Sequence, residues 1–138
     1  MFRKMELLLL FVAGLGLILA HDSQAQSGRV PSGRWGGQHI NLEVSANSAA
    51  IEYDCAHGAI QGPLDIDAQG RFKLKGTHTI ERGGPVRKDE SASTRPALYT
   101  GSIEGETMTL TVTLSDNNEE VGTFKLVKGQ TGRIFKCM

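Results

Sequence analysis

"TMTLTVTLS", residues 107–115, decides the class of this fold. Met108, Leu110, Val112 and Leu114 alternate with Thr107, Thr109, Thr111 and Thr113. A period of two is the pattern of a β-strand with one face buried and one wet. The β-branched threonines and valine suit a pleated strand better than a helix.

The same period recurs outward from this stretch. Toward the C-terminus, "GTFKLVK" (122–128) aligns Phe124 with Leu126, and "RIFKCM" (133–138) aligns Phe135 with Cys137. Toward the N-terminus, "ALYTGSIE" aligns Tyr99, Gly101 and Ile103. "RFKLKGTHTIE" aligns Phe72, Leu74, Gly76, His78 and Ile80 against lysines and threonines. "AAIEYDC" sets Ile51, Tyr53 and Cys55 against Glu52 and Asp54, and "HINLEVS" sets Ile40, Leu42 and Val44 against Asn41 and Glu43. "GAIQGPLDID" carries Ile60, Leu64 and Ile66 but is interrupted by Gly62-Pro63. Proline has no N–H to give a ladder, so a bulge or an edge is expected there.

These are eight strands joined mostly by short, turn-like breaks such as "ANS", "AHG" and "AQG". Short breaks make hairpins, and successive hairpins make a meander. The expected fold is all-β: an eight-stranded antiparallel up-and-down meander closing into a small barrel. Closure removes the exposed edges. A β-sandwich is the alternative. Two breaks are longer, the polar "GGPVRKDESASTRP" (83–96) and the acidic "SDNNEE" (115–120).

The N-terminus reads as an export signal. Arg3 and Lys4 precede an apolar run from Leu7 to Ala20, shorter than the roughly 20 residues a membrane span needs. Cleavage is expected after Ala25. The expected organisation is a signal peptide over 1–25, an extended Gly/Ser-rich arm over 26–38 and a barrel domain over 39–138. Removing 1–25 takes away Arg3, Lys4, Glu6 and Asp22, so the formal net charge stays at zero. Without a basic excess, nucleic acid is not an expected partner. No stable membrane anchor is expected after signal removal, and the product is expected in the periplasm or secreted.

Two cysteines remain, Cys55 and Cys137. An even count in an exported chain reads as a disulfide. The bond would close a loop of about 80 residues, worth roughly 4 kcal/mol in the chain-entropy model. A zinc site needs three or four converging ligands, and oxidation of both thiols removes two candidates from the set that would include His57 and His78. Counting alternate strands places Trp35, Cys55, His57, Cys137 and both long loops on one rim. Trp35 is expected to plug that end, with Arg133 stacked on it.

His78 shares a face with Phe72, Leu74 and Ile80. It is either a core histidine satisfied by a hydroxyl or carbonyl, or a polar contact inside a ligand cavity. "DIDAQG" (65–70) resembles the start of a calcium loop, but Gly76 stands where the closing glutamate belongs, so a turn with Asx-type hydrogen bonds is expected. No catalytic motif occurs in the mature chain, and no catalytic residue, metal or cofactor is expected.

At "GRW" (33–35) the chain resembles the calycin-type barrels, lipocalins and avidins among them. That resemblance implies an eight-stranded barrel with its long loops at the end opposite the tryptophan. "YDCAHG" and "SASTRPALY" resemble the periplasmic inhibitors of C-type lysozyme. Tyr53, Cys55, Gly58 and Cys137 match their frame, and Ser91, Ala92 and Ser93 match the start of their inhibitory loop. Thr94 replaces a glycine of that loop, and Pro96-Ala97-Leu98 separates Arg95 from Tyr99. The small exported metalloprotease inhibitors, with one disulfide and an N-terminal arm, are a further analogue. The whole pattern, "WGGQHI…IEYDCAHG…GRF…GGP…ALYTGS…MTLTV…KC", is similar to uncharacterised exported bacterial small β-barrel proteins.

The expected function is therefore non-catalytic binding of a protein or a small apolar ligand, through rim loops or a small apolar cavity. The alternative is a periplasmic inhibitor of a lysozyme or protease. Candidate binding residues are Ser91, Ser93, Arg95, Tyr99, His78 and Trp35. An open lumen around His78 would mark ligand carriage, and a filled lumen would move function to the loops.

Overall fold

The structure, a computed structural model, describes residues 28–81 and 93–137. The expected signal segment over 1–25, Ser91 and most of the 83–96 loop lie outside the described residues. Ten strands follow in order: β1 (Gly28–Arg29), β2 (Gly33–Gly37), β3 (Ile40–Val44), β4 (Ser48–Tyr53), β5 (Ala56–Gln61), β6 (Asp65–Ile66), β7 (Arg71–Ile80), β8 (Thr94–Glu104), β9 (Thr107–Leu114) and β10 (Glu120–Lys128). Eight of them close into an antiparallel barrel in the order β10-β2-β3-β4-β5-β7-β8-β9, and β1 pairs with β6 as a separate ribbon. The all-β barrel with one disulfide is the fold.

Successive hairpins set the two rims. The upper rim carries the connections 38–39, 54–55 and 115–119 and the described ends of the β7–β8 connection, Glu81 and Ser93. The lower rim carries 45–47, 62–70, 105–106 and the turn at 129–132. The strands are strongly staggered. A row of register partners starts at Lys128 on the lower rim and passes through Trp35, Leu42, Ile51, Gly58 and His78. It ends at Arg95, near the upper rim. Such stagger is the tilt that lets eight strands close around a lumen of side-chain width.

The set of eight strands differs from the expected set at its two ends. The segment 33–37 is the first barrel strand, and 133–137 is not a strand. Glycine is what makes this possible. A Cβ on Gly37 would collide with the Lys125 carbonyl, and one on Gly36 with the backbone of Gln130 and Gly132. Only bare backbone fits between β10 and the C-terminal segment. That segment instead runs up the outside of β2 as a strap. Arg133 N–H donates to the Gly37 carbonyl (2.9 Å), and the Arg133 carbonyl accepts from His39 N–H (2.7 Å). Phe135, expected inside, is 66% exposed. The strap delivers Cys137 to Cys55 with a Cα–Cα distance of 4.9 Å, within the usual range for a disulfide.

Trp35 consequently moves to the other end. Its indole is fully buried, and Nε1 donates to the Pro31 carbonyl (3.1 Å), which precedes β2 at the lower rim. The chain reaches 38–39 from below, through a strand that the count of alternate strands had left in the arm. Trp35 therefore closes the end opposite the 115–119 connection and opposite Glu81 and Ser93, the described ends of the longer one. Arg133 lies exposed on the outer side of the barrel and does not cap the indole.

Gly62-Pro63 ends a strand instead of bulging it. β5 stops at Gln61, and β6 leaves the barrel to pair with β1. The 65–70 stretch is an Asx-type turn: Asp67 Oδ1 accepts from the backbone N–H of Gln69 and Arg71, both at 2.9 Å. The lumen is packed through its lower part and waist by Trp35, Leu42, Ile51, Leu110, Val112 and Leu126, all at most 2% exposed. Tyr99, fully buried, lies against Gly58 and Gly76, where any side chain would collide with it. Its hydroxyl donates to the Thr77 carbonyl (2.5 Å).

Candidate functional site

The upper end of the barrel is built differently. Parity directs Tyr53 of β4, Ala56 of β5, His78 of β7 and Phe124 of β10 inward, while the bulge near the start of β10 brings Val121 to the same side. Together with His39, Asp54, Cys55 and Ile80 they line a cavity of about 360 Å³. Three rings form much of its wall. The Tyr53 ring lies 5.3 Å from the His78 ring and 5.6 Å from the Phe124 ring, both tilted, a geometry aromatic pairs favour.

Two polar atoms in this wall are unpaired. The Tyr53 hydroxyl and His78 Nδ1 are shielded from solvent, and neither meets a partner in good hydrogen-bond geometry. The polar group beside Tyr53 is the Tyr99 hydroxyl, which already donates to the Thr77 carbonyl. Tyr53 is 3% exposed and His78 5%. A buried polar group without a partner costs on the order of 1–3 kcal/mol, and folded proteins rarely carry one without a reason. Burial also fixes their charge. It drives the Tyr53 hydroxyl far above the usual phenol range, with Tyr99 adding to the effect. It pushes the His78 imidazole below its ordinary value, helped by the positive charges of Arg95 and His57. Both groups are thus neutral near pH 7.

Several charges at the upper rim are paired among the described residues. Asp54 accepts from Phe135 N–H (2.7 Å) and from the His39 ring, and these bonds, the backbone one foremost, hold its carboxyl below the usual range. Arg95 makes a bidentate pair with Asp116 at 2.7 and 3.0 Å. His57 sits on the exposed rim with its ring 2.9 Å from Glu81, and Lys136 of the strap lies 3.6 Å from Glu81 and 3.9 Å from Glu52. Such exposed pairs add little stability.

The candidate residues therefore divide. His78 is in the cavity wall and is not the satisfied core histidine. Trp35 is in the lower core. Tyr99 is in the waist, with its hydroxyl committed to the backbone. Ser93 is half-buried at the start of β8, and its carbonyl accepts Ile80 N–H (3.4 Å). Arg95 is tied to Asp116, and Ser91 lies outside the described residues. Tyr53 and Phe124 were visible in the sequence as inward residues, but alternation does not say which inward polar atom lacks a partner. Their parity with Cys55 and His78 was the only available signal.

Among the described residues, no group of three or more histidine, cysteine, aspartate or glutamate side chains converges as a metal site would. Comparison of the chain with protein-family models, with curated proteins and with solved structures found no match.

Proposed function

We propose that this protein is an exported binding barrel that holds a small, largely apolar ligand in the cavity at its upper end. One observation carries the reading: the Tyr53 hydroxyl and His78 Nδ1 are buried and unpaired in the wall of the same aromatic-sided cavity. A site built to recognise a ligand leaves its polar groups without protein partners, and the ligand supplies the missing bonds. The disulfide fits an oxidising compartment, and the N-terminal sequence fits export to it. The tie between Arg95 and Asp116 supports this reading over inhibition, because it occupies the guanidinium that an inhibitory loop would present.

Native mass spectrometry of mature protein purified from the exported fraction tests the proposal. A non-covalent adduct is expected that disappears on denaturation, and that is depleted in a Tyr53→Phe/His78→Phe double variant of unchanged fold. An adduct retained equally by the double variant would count against the site. A protein that takes up no small molecule from the exported fraction would count against carriage.

A further inference from the structure

Resting on that reading, we infer that the cavity selects a small, uncharged ligand with an aromatic or apolar body and a hydrogen-bonding group at one edge. Size is the first argument. At about 360 Å³ the space is at the small end of ligand sites, which span roughly 300–1,000 Å³. Its boundary with the rest of the lumen is closed by Tyr99, whose ring fills the room that Gly58 and Gly76 leave. A long chain therefore has no path down the barrel.

Charge is the second argument. A cationic ligand needs a free carboxylate, and the one carboxylate in the wall, Asp54, already serves Phe135 N–H and the His39 ring. An anionic ligand needs a free cation. Among the described residues, the nearest arginine, Arg95, is bound through two nitrogens to Asp116, and burial lowers the proton affinity of His78. An ion placed beside Tyr53, Phe124 and Val121 would give up part of its hydration with no free countercharge among the described wall residues to replace it. A ring with a hydroxyl or carbonyl instead stacks against Tyr53 and Phe124 and offers the missing partner to the Tyr53 hydroxyl or to His78.

Four ring probes of matched shape separate the possibilities: benzyl alcohol, toluene, benzoate and benzylamine. Each is titrated into the mature protein while the His78 ring resonances are followed by NMR. Benzyl alcohol is expected to shift them and to bind at least about tenfold more tightly than the two ions and than toluene, the margin expected when an unpaired polar group gains a partner. Tyr53→Phe is expected to shrink the preference over toluene. Benzoate or benzylamine binding as tightly as the alcohol, with His78 shifted, would overturn the ligand class and leave the cavity reading standing. Probes that bind without moving His78, or equally well to the cavity-filling variants Ala56→Phe and Val121→Trp, would overturn the site itself. If none of the four binds, and short linear alcohols do not bind either, both fail.

Discussion

The two ends of the barrel treat the same kind of side chain in opposite ways. At the lower end and waist, each large amphipathic residue has a partner for its polar atom: Trp35 Nε1 meets the Pro31 carbonyl, and the Tyr99 hydroxyl meets the Thr77 carbonyl. At the upper end, the Tyr53 hydroxyl and His78 Nδ1 have none. The lower end packs its lumen and has an open hollow of about 420 Å³ on its flank at Asp67 and Phe72, whereas the upper end has a hollow among its aromatic rings and is held from outside by a disulfide-anchored strap. One end is built for stability, and the other gives stability up. Residues that break packing rules at one place in an otherwise consistent fold mark that place as functional.

The largest effect is expected where packing does the holding. Trp35→Ala removes a fully buried indole and leaves a hole that the short strand β2 cannot collapse, at a cost of about 5 kcal/mol. Urea unfolding monitored by circular dichroism checks this. A loss under about 1 kcal/mol would mean that the lower end is not the packed half. Ligand uptake by the fraction that remains folded should be retained, since the indole lies away from the cavity.

The next effect belongs to the upper end. Replacing Cys55 and Cys137 by serine frees a loop closed over 82 residues of sequence. The chain-entropy model puts the loss at roughly 4 kcal/mol. The strap holds one wall of the cavity through the Phe135–Asp54 and Arg133–His39 bonds. Amide exchange in the folded state should therefore rise first at His39 and Phe135, while Val112 and Leu126 stay protected. Uniform loss of protection along the chain would erase the distinction between a stapled end and a packed one.

Much of this architecture is legible from alternation alone, and the failures share a cause. "TMTLTVTL" is a strand on sight because its bulky residues state its parity. "GRWGG" looks like an arm because glycine reads as freedom. Here it provides thinness, letting β10 and the strap approach bare backbone. "RIFKC" looks like a strand because Phe135 and Cys137 alternate, yet the disulfide and hydrogen bonds to the β2–β3 turn decide its course. That one exchange moved Trp35 to the opposite end. The site was half legible. Parity alone put Tyr53 and His78 inside. Whether each found a partner depended on where carbonyls from other strands fell, as Thr77 did for Tyr99, and no local pattern encodes that.

The smallest effect is the most discriminating, because it compares two tyrosines of one barrel. Tyr99→Phe deletes a hydroxyl that donates to the Thr77 carbonyl and leaves that acceptor short of a bond. A loss of about 1–1.5 kcal/mol is expected. Tyr53→Phe deletes a hydroxyl with no partner in good geometry, its one polar neighbour being the Tyr99 hydroxyl that already serves Thr77. Removing a buried unpaired group relieves its desolvation cost, so stability should be unchanged or rise by up to about 1 kcal/mol. The two substitutions are chemically identical and both sit in the lumen, so generic effects of losing a hydroxyl cancel between them. Differential scanning calorimetry of both variants without ligand reads the difference directly. If Tyr53→Phe destabilises as much as Tyr99→Phe, then Tyr53 has a structural partner, and the upper end is core like the rest. If Tyr53→Phe is neutral or stabilising while its binding weakens, stability has been surrendered for recognition at that hydroxyl.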